Sequence, residues 1–132
     1  MGAPNTVAIV DAIIDIAEEL ELQCRTEPDG TWQPPELLIR VPEIEQLTFG
    51  DDGIWRYTFP LILVVASAWD AQAHDDMFTL LAPLKAQLQS DQTLRGTASG
   101  VWIRNISPDD QIRDRQESEW FGSRLDLEVH TS

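Results

Sequence analysis

The longest apolar stretch of the chain, IWRYTFPLILVVASAW from Ile54 to Trp69, sets the first constraint on what this sequence can fold into. Trp55, Tyr57, Phe59, Leu61, Leu63 and Val65 recur at every second position, the period of a β-strand with one face turned to a core. The intervening positions begin polar, at Arg56 and Thr58, and turn apolar at Ile62, Val64 and Ala66. A strand that is apolar on both faces is covered on both faces. In a chain of 132 residues the expectation is that a neighbouring molecule supplies the second cover. Pro60 removes a ladder donor in mid-run, which predicts an edge position or a bulge. The apolar segment from Phe59 to Trp69 is too short to span a bilayer.

Other elements group around this strand. Asn5 to Cys24 reads as an amphipathic helix, with Val10, Ile13, Ile14, Ala17 and Leu20 on one side and Asp11, Asp15, Glu18 and Glu19 on the other. The acidic residues near its C-terminal end oppose the helix macrodipole, so local stability does not account for them. EPDGTWQPP, Glu27 to Pro35, is a turn-rich connector, and ELLIRV, Glu36 to Val41, is a short strand ended by Pro42. PEIEQLTFGDDG then leads through an Asp52-Gly53 turn into the long strand. A second helix is expected from Asp70 to about Ser90, buried along Met77, Leu81, Leu84 and Leu88 with Phe78 and Leu80 beside them. Pro83 predicts a kink or a start later than Asp70. VWIRNI is a strand, SPDDQIRDRQES a charged loop, and EWFGSRLDLEVH a closing strand. In the last, Phe121, Leu125, Leu127 and Val129 face one way, and Trp120, Arg124, Asp126, Glu128 and His130 the other. The predicted fold is α+β, one domain over residues 1–132: a mostly antiparallel sheet packed by two helices, in the order α-β-β-α-β-β.

The segment TLRGTASGVWIRNI poses the question of enzymatic chemistry. A phosphate loop needs a strand, a glycine loop and then a helix N-terminus. Here the order is helix, glycine loop, strand, and neither GxGxxG nor GxxxxGK[ST] is present, so Gly96 and Gly100 read as turn residues. His74 and His130 are the only histidines and Cys24 the only cysteine, too few for a zinc site. His74, Asp75 and Asp76 open the second helix, where acidic capping is the ordinary reading and a small acidic enzyme or metal site the remote one. Asp51-Asp52 and Asp109-Asp110 lack the spacing of a calcium loop. No catalytic residue, cofactor or metal is expected.

Charge excludes further classes. With 23 acidic residues against 9 basic ones, the net charge is −14, which repels nucleic acid and anionic membrane surfaces unless the few arginines cluster. The N-terminus MGAPNTVAIV lacks the basic start of a secretory signal, so none is expected. Among the five tryptophans, Trp55 belongs to the core face, whereas Trp69, Trp102 and Trp120 read either as partly buried under loops or as contacts with another protein. With Ile62 and Val64, the turn residues Asp51 and Asp52, and Asp109, Asp110, Arg113 and Arg115 of the charged loop, they make up the expected interface set.

Taken together, the amphipathic first helix, the Pro-rich crossing into ELLIRV, the GDDG turn, the helix opened by WDAQAHDD and the closing alternating strand resemble the tail terminator proteins of long-tailed bacteriophages. A leucine-glycine turn before a V-x-I-x-x-I strand is part of that likeness, here Leu94, Gly96, Val101, Ile103 and Ile106. The resemblance implies a non-enzymatic ring, hexameric in such proteins, at the head-proximal end of the virion tail, assembled in the host cytoplasm. Such a ring stops growth of the tail tube protein and joins the neck or head-completion protein, with DNA passing through an acidic lumen without specific binding. A neck or head-completion adaptor is the structural alternative.

Overall fold

A computed structural model describes residues 6–26, 35–47, 53–67, 73–113 and 119–131, and at 66–67, 73–74, 107–113 and 119 it describes the backbone alone. The elements are α1 (Thr6–Glu19), β1 (Gln23–Arg25), β2 (Glu36–Ile39), β3 (Glu43–Gln46), β4 (Trp55–Ser67), α2 (Ala73–Ser90), β5 (Gly100–Arg113) and β6 (Glu119–Thr131). One sheet runs β1-β2-β4-β6-β5, with β3 also paired to β4. Every pairing is antiparallel except that of β1 with β2. The fold is therefore α+β, a mostly antiparallel sheet with two helices. Two short strands, β1 and β3, extend the expected order.

β4 is the central strand, and its alternation sorts the sheet into two faces. Tyr57, Phe59, Leu61 and Leu63 are fully buried on the side that carries the helices, opposite Val129, Leu127, Leu125 and Ser123 of β6. Pro60 is not at an edge. It sits where the partner strand is interrupted: Ile39 faces Leu61 and Glu43 faces Thr58, so β2 and β3 together contain one residue more than the stretch of β4 they flank. The Arg40 amide still donates to the Pro60 carbonyl at 3.0 Å, and the ladder breaks at the position where Pro60 has no N–H to return. This bulge lets a proline occupy the middle of a sheet.

Both helices pack on the same face. α1 buries Ile9, Ala12, Ile13, Ile16 and Ala17, while Val10, Ile14 and Leu20 pack at the flank of the cluster. The buried stripe is rotated slightly from the one expected. α1 ends in a Schellman motif: the Leu22 amide donates to Ala17 O and the Glu21 amide to Glu18 O, both at 3.0 Å, with Glu21 at φ 62°. α2 starts after Asp70, contains Pro83, and buries Met77, Leu84 and Leu88. Leu81 is only partly buried, and Phe78 remains 64% exposed.

The charged loop expected after VWIRNI requires correction. Residues 107–113 continue β5 and pair with β6 from Ser107↔Arg124 to Arg113↔Glu119. The spacing of Val101, Ile103 and Ile106, two steps and then three, follows from a register shift between Ile103 and Asn105. One extra residue there returns Ile106 to the side of Leu125, where it packs on the core.

Two stability outcomes follow from local geometry. Glu21 occupies the left-handed region that favours glycine, so Glu21→Gly should stabilise the protein by about 0.5–1 kcal/mol, read as a higher urea midpoint at unchanged slope. The Ser123 hydroxyl is buried with no hydrogen-bond partner among the described residues, so Ser123→Ala should be neutral or stabilising by about 1 kcal/mol in the same titration.

Candidate interaction surface

The face of the sheet opposite the helices carries the candidate surface. Its residues come in ranks across β4, β6 and β5. Ile62 pairs with Arg124, Pro60 with Asp126, Thr58 with Glu128 and Arg56 with His130. On the other side of β6, Asp126 faces Asn105, Glu128 faces Trp102 and His130 faces Gly100. β3 adds Glu43 opposite Thr58 and Glu45 opposite Arg56.

One end of this face is closed by the chain itself. Val64 and Leu38 are buried at 0% and 2% exposure, with Ile62 and Trp120 packed on them. Beside them Glu36, also buried, accepts a hydrogen bond from Arg25 at 2.8 Å. Val64, expected to be covered by a neighbouring molecule, is covered instead by packing within the chain. The remainder of the face is an open concavity of about 790 Å³, lined by Arg40, Val41, Glu43, Thr58, Pro60, Ile62, Arg104, Asn105, Arg124 and Asp126.

The arginines do cluster. Arg40, Arg56, Arg104 and Arg124 share this face with Glu43, Glu45, Asp126 and Glu128, so its charges cancel and the chain's net −14 resides elsewhere. Arg56 is paired with Glu45, and Arg124 with Asp126 at 3.2 Å. Glu128 lies 2.9 Å from the His130 ring nitrogen and 3.6 Å from Arg104. Pairs of this kind at a solvated surface are worth ~0–1 kcal/mol each. Trp102 stands at the far rim, 46% exposed, its ring edge-on to His130 at 4.6 Å. Its indole lies directly over Gly100, where a Cβ would meet it at 2.5 Å. Glycine is required there so that the ring can lie against the strand.

The turn that delivers Trp102 is held by a carboxylate. Asp91 accepts from the Thr93 amide at 2.9 Å, the Thr93 hydroxyl at 2.6 Å and the Arg95 amide at 2.9 Å. Three successive residues, Leu94, Arg95 and Gly96, have φ of 46°, 58° and 84°. Two of them are not glycine, a strain the Asp91 bonds and the fully buried Leu94 side chain offset. Arg95 then reaches Glu19 at 2.5 Å, answering part of the negative charge at the end of α1. Hydrogen bonds to Thr93 and Arg95 hold the Asp91 carboxyl below its usual range, and the Arg95 bond does the same for Glu19. Burial and the nearby Glu18 push the Cys24 thiol up to about 11, which leaves it protonated and unreactive at neutral pH.

Of the residues expected at an interface, Ile62 and Trp120 meet in one cluster, Val64 is sealed beneath them, and Trp102 lies at the opposite rim. Asp109, Asp110 and Arg113 lie on the backbone of β5. Asp51, Asp52, Trp69 and Arg115 lie outside the described residues. Arg40, Arg56, Arg104 and Arg124 were missed as a group, although those on β4 and β6 share the even-numbered positions of alternating strands. Among the described residues no three His, Cys, Asp or Glu side chains gather to hold a metal, and no helix is long and apolar enough to cross a membrane. No protein-family model matches the chain, and no curated protein matches its sequence.

A carboxyl whose folded value is depressed contributes stability above its unfolded value and loses it as pH falls. Asp91 therefore supports the turn at neutral pH. Asp91→Asn should lower Tm at pH 7, and the gap from the parent protein should narrow as pH falls from the ordinary value of 3.8 downward.

Proposed function

We propose that this chain is a non-enzymatic structural subunit that closes into a ring at the head-proximal end of a long-tailed phage tail, halting tube growth and offering the surface for head joining. The observation that carries the reading is the half-covered sheet. Both helices lie on one face, the other presents four arginines in a charge-balanced concavity, and β5 is an edge strand of 14 residues paired, among the described residues, with β6 alone. A face and an edge of that kind are met by neighbours in a closed assembly. The specific role in a tail comes from the resemblance of the sequence, and its partners would be further copies of itself, the tail tube protein and a neck or head-completion protein. The excess of carboxylates away from the arginine face suits a lumen through which DNA slides without binding.

Electron microscopy of the purified protein, alone and mixed with tail tube protein, is expected to show rings. Strict monomers under both conditions overturn the reading. In the phage, loss of the protein should give overlong tails, whereas finished tails left unattached to heads would identify a neck adaptor instead.

A further inference from the structure

We propose that the arginine concavity is the docking site for the acidic outer face of helix α1 on a second copy of this chain. The inference rests on the ring reading and supplies its contact.

On the receiving side, Arg40 is exposed and has no ion pair among the described residues. Arg104 stands 3.6 Å from Glu128, beyond hydrogen-bond distance, and among the described residues Arg124 bonds to Asp126, two positions along its own strand. All three cations are thus available to an incoming carboxylate. Val41, 86% exposed, and half-buried Ile62 give the concavity an apolar floor and rim.

On the donating side, Val7, Asp11, Asp15 and Glu18 are all exposed and recur at steps of four or three, which places them in one line along α1. The helix TVAIVDAIIDIAEE contains no cation. Its line of one apolar and three acidic side chains runs about 16 Å at 1.5 Å per residue. From the rank of Ile62 to that of Arg56 the sheet face runs about 20 Å at 3.3 Å per residue, long enough to take that line, and its arginines are the cations the carboxylates would meet.

The two surfaces cannot meet within one molecule. α1 presses Ile9, Ile13 and Ile16 onto one side of the sheet, so its acidic line points away from the sheet, whereas the arginines are on the opposite side. The contact joins a different patch on each partner, the heterologous kind that generates a ring when its rotation closes. Both copies are acidic overall, but charges farther apart than about 8 Å are screened at physiological salt, so the groups in contact decide the sign. Spaced helical carboxylates can reach the arginines between Glu43 and Asp126. A continuous polyanion cannot avoid those two acids, which is why a copy of the chain fits better than nucleic acid.

The test is a charge swap read by sedimentation and electron microscopy, with circular dichroism to confirm folding. R40E/R104E and D11K/D15K should each remain monomeric at a concentration tenfold above that at which the parent protein assembles. Mixed one to one they should assemble again, because the acidic helix of the first meets the arginines of the second and the reversed pair is also complementary. If both variants assemble like the parent, this contact is overturned while the ring reading stands. Folded variants whose mixture stays monomeric also overturn it. A parent protein that is monomeric alone and with tail tube protein overturns both readings. If R40E/R104E assembles normally but loses binding to a short duplex DNA, the concavity serves a polyanion and the proposal fails. Should a reversed variant misfold, R40Q/R104Q and D11N/D15N replace it. Each should weaken assembly severalfold, and unchanged assembly in both overturns the contact.

Discussion

The ladder between β4 and β6 is the constraint on which the rest of the molecule depends. It runs from Trp55↔Thr131 to Ser67↔Trp120 and fixes which side of the sheet each residue takes. A slip of one residue would send Tyr57, Phe59, Leu61 and Leu63 to the open face and bring Arg56 and Thr58 beneath the helices, so the hydrophobic pattern enforces the register. Once that register is set, α1 and α2 have one apolar surface to cover. The arginines of β4 and β6 are left together on the other side. The core and the candidate surface are therefore two readings of one alternation, and neither can be changed without the other.

That dependence explains what the sequence made legible. β4, β6 and α1 each bury one regular stripe, so period alone reveals them, and the helical side of the fold follows. β3 was hidden because Glu43 and Glu45 are exposed on it and Ile44 is itself 42% exposed; its pairing with β4 rests on backbone bonds, which leave no trace in side-chain pattern. The far half of β5 was hidden for a related reason. SPDDQIR is polar and contains a proline, the composition of a loop, yet an edge strand needs partners on one side only and tolerates such residues. The arginine cluster combines residues from β2's end, β4, β5 and β6. Single-strand alternation shows that each points outward, but only the pairing of strands distant in sequence brings them to one place.

The turn from Asp91 to Gly100 shows the same division between local and distant information. Glycines at 96 and 100 mark it as a turn, and both are used, one at positive φ and one beneath an indole ring. What glycine content does not disclose is that Leu94 and Arg95 also take left-handed conformations, or that Asp91 organises them through three hydrogen bonds. The turn ties three parts of the molecule together. Leu94 anchors it in the core, Arg95 reaches the end of α1, and Ser99 bonds to the His130 carbonyl at 2.8 Å at the start of the open face.

Charge placement is the last step. A chain with 9 cations and 23 carboxylates could scatter the cations to dilute repulsion everywhere. Instead four arginines share one sheet face with an equal number of acids, and the helical side is left strongly acidic. Exposed ion pairs stabilise a folded domain little, so folding does not account for that choice. Association does. A sheet face that was simply apolar would aggregate before it met its partner. A face of loosely paired arginines stays hydrated in the free chain and still discriminates an acidic surface when one arrives. In the proposed head-to-tail contact the same partition would set the acid of α1 and the arginines on different sides of each copy, so that copies meet through unlike surfaces.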